Sequence, residues 1–374
     1  MEYFEQFSSN TCAGSGNQLL FSTAPGEIRT GRLYYKVYAP GRFSYSILFS
    51  NTVDSTFADG SACCRNTLGG HWEILEAKAA VCPGAVLGAD VESKAAAGQI
   101  NGAELPFVKL TFDGKADRRV APGAFFSTDP VALSFAPGDY LCLELTFRGQ
   151  GIPYHEESQL PVYIKGEDGW RYCKHLPFAS MLGCDRKAEK RIGFLGGSIT
   201  QGCGTGVNTY VHWNAVLAEK LGQDYAYWNL GLGYGRANDA ATDGVWLSRA
   251  KRNDLVVVCY GVNDLFQIGD EQRLKADLEK IVDLLNAAGV KVVLQTIPPF
   301  DYEGEMIGKW QRVNDYIRQT LSQKAALVFD VVPWLRQDEE HPHMAKFVGH
   351  PNAEGCAVWA DALYDALMNP GLLK

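Results

Sequence analysis

Up to about residue 180, apolar and polar residues alternate with a period of two. FSYSILFSN sets Phe43, Tyr45, Ile47 and Phe49 against Ser44, Ser46, Leu48 and Ser50. FVKLTF sets Val108, Leu110 and Phe112 against Lys109 and Thr111, and LCLELTF sets Leu141, Leu143, Leu145 and Phe147 against Cys142, Glu144 and Thr146. Side chains along a strand point to opposite faces in turn, so this alternation predicts half-buried antiparallel strands. Several such strands without long helical stretches predict a β-sandwich, jelly-roll-like domain over residues 1–180. GADVESKAAAGQ, residues 88–99, stands apart as a short helix or a loop.

From about residue 190 the period changes. IGFLG, LVVVCYG, VKVVLQTI and ALVFDV are solidly apolar, as strands of a parallel sheet covered on both faces should be. Between them run helical stripes. Leu274, Leu278, Ile281 and Leu285 recur at i, i+4, i+7 and i+11, with Gly289 at the stop. Trp310, Val313, Ile317 and Leu321 repeat the pattern, as do Cys356, Ala360, Leu363 and Leu367 before Pro370 and Gly371. Alternating strands and helices predict a doubly wound, three-layer α/β/α domain over residues 190–374, with its ligand at the carboxyl ends of the strands. The boundary is expected in HLPFASMLGCDRKAEK, residues 175–190.

Composition narrows the class. A chain of 374 residues suits two domains, and 46% hydrophobic with 21% charged residues describes a soluble globular protein. The formal net charge of −8 argues against nucleic acid or an anionic membrane surface as main partner. No apolar run reaches the length of a membrane span, and MEYFEQFSSN lacks the basic and apolar regions of a secretory signal. The ten cysteines are scattered without a C-x-x-C pair, which points to reduced thiols and a cytoplasmic protein. No metal or cofactor is expected. His341 and His343 are poor ligands, GCGTG lacks the Lys-Ser/Thr of a phosphate loop, and GLGYGRA lacks dinucleotide-site spacing.

The strand ends carry the candidate chemistry. After the first strand of the second half comes Gly197-Ser198 in GFLGGSITQG. After YAYWNLG come Gly231, Gly233 and Gly235. After LVVVCY come Asn263 and Asp264 in GVNDL, and before the last helix comes His350 in GHPNAEG. Each has an ordinary reading as a turn, a helix cap or a surface loop. Together they place a nucleophile, hydrogen-bond donors and a base on one rim.

GGSIT, NLGLGYG, GVND and HPNAEG, in that order, resemble the four blocks of the SGNH hydrolases, the GDSL-type esterases. The likeness covers about residues 190–370, and the preceding β-rich half resembles that of two-domain carbohydrate acetylesterases. The resemblance implies Ser198 as nucleophile and His350 as the base that takes its proton and returns it to the leaving alcohol. The oxyanion would be met by the Ser198 N–H, a glycine N–H from Gly233 or Gly235, and the Asn263 amide. Gly197 stands where the family name implies Asp. Family members often carry an Asp three residues before the histidine, but that position is Phe347 here. A backbone carbonyl is expected to orient the imidazole in a Ser–His dyad. The second choice is an acid from QDEEHPH, namely Asp338, Glu339 or Glu340.

The expected activity is removal of a small acyl group, acetyl above all, from a carbohydrate or similar hydroxylated substrate through an acyl-enzyme. The alternatives are a lipase- or thioesterase-like activity on longer chains, or a carbohydrate-binding protein with a decayed site. Pro298, Tyr302 and Trp310 are candidate pocket walls. RGQGIPYHEES, with His155, is expected to be a solvated loop or, failing that, part of a substrate rim. Trp72 in HWE is expected to pack within a strand. Oligomeric state is not legible.

Overall fold

The computed structural model describes residues 3–14, 16–54, 66–84, 105–368 and 371–373; the segment 88–99 lies outside them. The chain divides into two compact units. One holds the residues up to Val53, Asn66–Lys187 and Val207–Thr209; the other holds Asp54, Ala188–Gly206 and the chain from Tyr210 onward.

The first unit is a β-sandwich of antiparallel sheets. In one sheet Tyr140–Gly149 lies between Arg29–Lys36 and Trp72–Cys82. In the other, Gly41–Ser50 pairs with Met181–Cys184, Phe125–Ser127 and Val131–Phe135. The alternation reads only part of this correctly. Leu143, Leu145 and Phe147 are buried, but so are Cys142 and Glu144 on the face expected to be wet. Glu144 tolerates burial because Arg32 and Lys78 reach its carboxylate at 2.7 and 3.2 Å. Ser46 and Leu48 are likewise buried, and the Ser46 hydroxyl donates to the Thr128 carbonyl at 2.7 Å. Val108, expected inside, is exposed, because Val108–Leu110 is an edge strand. Met181–Cys184, inside the expected boundary segment, is a buried strand of this unit, so the chain changes units between Lys187 and Ala188.

The second unit is a three-layer α/β/α domain. Its five strands, β1 (Lys190–Gly196), β2 (Tyr225–Gly231), β3 (Leu255–Cys259), β4 (Lys291–Gln295) and β5 (Leu327–Phe329), are all parallel, in the order β2-β1-β3-β4-β5. The helices that cover the sheet are α1 (Trp213–Leu221), α2 (Glu271–Ala287), α3 (Glu305–Gln319) and α4 (Ala353–Met368). The Asp270 carboxylate starts α2 by accepting from the Gln272 and Arg273 N–H groups at 3.0 and 3.1 Å. Leu274, Leu278, Ile281 and Leu285 are all buried along it, each contributing about 1.5–3 kcal/mol by leaving water. Gly289, at φ +79°, turns the chain out. Trp213 of α1 stacks on Trp359 of α4 with centroids 5.0 Å apart.

In this strand order β1 and β3 are neighbours, and the connections that leave them, to β2 and to β4, run in opposite directions. The carboxyl ends of β1 and β3 therefore open a crevice, where doubly wound folds bind ligands. Among the described residues no helix is long and apolar enough to cross a membrane, and the eight described cysteines are free thiols.

Candidate active site

Ser198 opens a one-turn helix, Ser198–Gln201, immediately beyond β1. Its Oγ lies 2.8 Å from Nε2 of His350, which sits in the loop before α4. Gly197 explains itself by space. A Cβ there would stand 3.0 Å from the Gly235 carbonyl oxygen and 3.2 Å from Nδ2 of Asn263. A larger side chain, the Asp of the family name included, would press on both.

The Ser198 N–H, first in its helix, has no hydrogen-bond partner among the described residues. Asn263, just beyond β3, donates from Nδ2 to the Gly235 carbonyl at 3.0 Å. A carboxamide carries two N–H groups, so a second one is left to face the site. The glycine donor is a correction. The Gly235 N–H closes a turn on the Leu232 carbonyl at 2.9 Å, and the Gly233 N–H donates to Oε1 of Gln201. The loop's own turn takes one amide and Gln201 takes the other, so neither glycine N–H is left for a ligand. Gly235 contributes its carbonyl, which holds Asn263. Gly197, Ser198, Gly235, Gly261, Asn263 and Pro298 line a cavity of about 20 Å³. A larger one, about 320 Å³, lies in the β-sandwich beside Pro25, Trp72 and Arg148. It contains no serine–histidine pair, so chemistry rather than volume locates the candidate site.

His350 is half-buried, and burial lowers its pKa below that of a free imidazole. Among the described residues neither a carboxylate nor a carbonyl hydrogen-bonds to its Nδ1, which departs from both expectations. The acidic run is engaged locally instead. Asp338 accepts from the His341 N–H at 2.6 Å and meets its ring at 3.0 Å, Glu339 pairs with Arg336 at 3.1 Å, and Glu340 is exposed. The reason is a closed turn in which the Gln337 N–H reaches the Met344 carbonyl at 2.8 Å. What touches the imidazole is aromatic: the Phe300 ring, at 5.2 Å between centroids and 75° between planes. Gly204, at φ +95°, supports the same residue from its backbone side, since a Cβ there would fall 2.7 Å from the His350 carbonyl oxygen.

Of the expected walls, Pro298 lines the cavity, whereas Tyr302 and Trp310 are buried and stack on each other at 5.7 Å. The Trp310 indole N–H is fixed on the Ile297 carbonyl at 2.9 Å, which draws the ring into the core. Asp264 does act as a cap, but for another segment. Its buried carboxylate accepts from the Ala237 and Asn238 N–H groups at 3.0 and 3.3 Å, and burial pushes its pKa up to about 7. RGQGIPYHEES is not a solvated loop: Ile152–Tyr154 pairs with Leu19–Phe21, and His155 is fully buried against Phe178. Trp72 packs within its strand as expected, its indole N–H on Asn51 at 2.9 Å. Sequence reasoning missed Gln201 and Phe300. Gln201 follows Ser198 at i+3, the spacing of one helix face, and was there to be read. Nothing in a pattern of types marks Phe300.

Residues 194–358 match the GDSL-like lipase/acylhydrolase family. No curated protein matches the chain. Among solved structures, a GDSL-like lipase from Bacteroides thetaiotaomicron is similar at 20% identity and a TM-score of 0.39, over 49% of this chain and 89% of that one. An acetyl xylan esterase is similar at 22% identity and 0.39, over 47% and 99%. A family two carbohydrate esterase from Clostridium thermocellum, in complex with cellohexaose, is similar at 14% identity and 0.41, over 99% and 98%. The segment that matches begins in β1 and ends in α4, and so contains Ser198, Asn263 and His350. Over residues 194–358 the chain is thus similar to the GDSL-like lipase/acylhydrolase family.

Proposed function

We propose that this ester hydrolase removes small acyl groups, acetyl foremost, from a carbohydrate or related hydroxylated substrate. The observation that carries the reading is the 2.8 Å contact between the Ser198 hydroxyl and the His350 imidazole. The neutral imidazole takes the Ser198 proton as Oγ bonds to the acyl carbon. The oxyanion is met by the Ser198 N–H and the free N–H of Asn263. Collapse of that intermediate expels the alcohol, which receives the proton from His350, and leaves acyl-Ser198. Water, deprotonated by His350, then attacks the acyl carbon; collapse breaks the acyl–Oγ bond, Oγ takes the proton back from His350, and the carboxylic acid departs and ionises in solvent.

The small cavity beside Ser198, lined by Gly197, Gly235, Asn263 and Pro298, supports a small acyl group over the long chains of a lipase or thioesterase. The alcohol half rests on the resemblance to two-domain carbohydrate acetylesterases. The test compares the wild type with Ser198→Ala on p-nitrophenyl acetate and on acetylated oligosaccharides, with an acyl-length series alongside. The variant should lose turnover and fluorophosphonate labelling together, and activity should fall as the acyl chain lengthens. Turnover undiminished in Ser198→Ala would end the assignment.

A further inference from the structure

We infer that Gln201 is a positioning residue for the oxyanion site, locking the 232–235 loop so that the Gly235 carbonyl presents the Asn263 amide. This rests on the function proposed above. Gln201 is fully buried at the end of the nucleophile helix. That helix presses on the end of β2, where a Cβ on Gly231 would come within 2.1 Å of the Gln201 nitrogen. From there its Oε1 accepts the Gly233 N–H.

Two backbone bonds also anchor the loop it holds. The Leu232 N–H reaches the Gly196 carbonyl at 3.0 Å, and the Gly235 N–H reaches the Leu232 carbonyl at 2.9 Å. Any sequence able to make the turn keeps those two. The Gln201 bond comes from a side chain, and it ties the glycine loop to the helix that carries Ser198. The Gly235 carbonyl then takes the Asn263 amide at 3.0 Å. Nucleophile, glycine loop and oxyanion amide thus form one continuous hydrogen-bonded path.

The path rests on a rigid base. Nδ2 of Asn214 donates to the Thr200 carbonyl at 2.5 Å, and Nδ2 of Asn229 to the Gln201 carbonyl at 3.3 Å. All four residues are fully buried. On its other side the Gln201 amide donates from Nε2 toward the Cys203 sulfur at 3.7 Å. Losing the Oε1 acceptor removes the bond that ties the Gly233 N–H to the nucleophile helix and loosens the loop. The amide of Asn263 would then drift, and a displacement of about 1 Å at a reacting centre costs on the order of a hundredfold.

The experiment measures kcat and KM on p-nitrophenyl acetate for Gln201→Leu, Gln201→Glu, Asn263→Ala, Ser198→Ala and the double variant Gln201→Leu/Asn263→Ala. Gln201→Leu should lower kcat roughly ten- to a hundredfold with little change in KM. Gln201→Glu, which keeps an acceptor, should recover most of that loss. In the Asn263→Ala background Gln201→Leu should cost almost nothing more, because the two act as a unit. Wild-type kcat in Gln201→Leu, a loss confined to KM, or full multiplicative losses in the double variant would each overturn the inference. If Gln201→Leu does not fold, Gln201→Met carries the same expectations, and collapse of both counts against the inference. Activity surviving in Ser198→Ala would instead indict the proposed function.

Discussion

The Phe300 ring meets the His350 imidazole edge to face, with centroids 5.2 Å apart and planes at 75°. Phe300 in turn packs on Phe266 at 5.6 Å, and a Cβ on Gly349 would fall 2.9 Å from its ring. An aromatic wall therefore fixes the plane of the base, and burial disfavours its charged form. A base with a lowered pKa stays neutral, and able to accept a proton, further into acid. The acid limb of kcat/KM should accordingly lie below pH 6.5, the value of a free imidazole. Phe300→Ala should lower kcat and move that limb upward as water reaches the ring. A pH–rate profile of the variant superimposed on the wild type's would show that Phe300 has no hand in holding the base.

The acidic run gives a prediction of opposite kind. Asp338 and Glu339 serve His341 and Arg336, and Glu340 faces water. The triple variant Asp338→Asn/Glu339→Gln/Glu340→Gln should therefore keep kcat within about twofold of the wild type, the scale of surface substitutions. A fall approaching the roughly ten thousandfold of a lost triad carboxylate would place one of these acids on the imidazole during turnover.

Asn263 differs because its amide is held in advance by the Gly235 carbonyl at 3.0 Å. Removing one oxyanion donor typically costs about a hundred- to a thousandfold in kcat. Asn263→Ala should show that loss with KM nearly unchanged, since the oxyanion exists only after attack. A KM effect without a kcat effect would make Asn263 a ground-state contact.

The layers of the second unit were legible because each strand is apolar on both faces and each helix repeats its stripe. The same logic pointed to Ser198 and Asn263, just past parallel strands, whereas His350 was read from the loop before the last helix and lies 2.8 Å from Ser198 Oγ. It failed where a side chain's partner is distant. Glu144 looks solvent-facing until Arg32 is brought beside it, and His155 looks like loop until Ile152–Tyr154 finds Leu19–Phe21. The glycine donors failed for a related reason: a sequence shows that Gly233 can be approached closely, not that Gln201 already occupies its N–H.

Asp264 carries the remaining prediction. Its carboxyl is buried beneath the first turn of Ala237–Ala240, accepts two backbone N–H groups, and has Asp239 and Asp277 nearby. Burial outweighs the two donors and lifts its pKa to about 7, from the roughly 3.9 of an unfolded chain. Between those values the folded state binds the extra proton, so its stability falls as pH rises through that window and levels off above it. Each unit of displacement is worth about 1.4 kcal/mol. Asp264→Asn keeps an oxygen for the Ala237 and Asn238 N–H groups and removes the titration. Its Tm should change less than the wild type's between pH 5 and pH 8, and should exceed the wild type's at pH 8. Parallel Tm–pH curves for the two proteins would mean that this carboxyl is ionised in the folded state throughout.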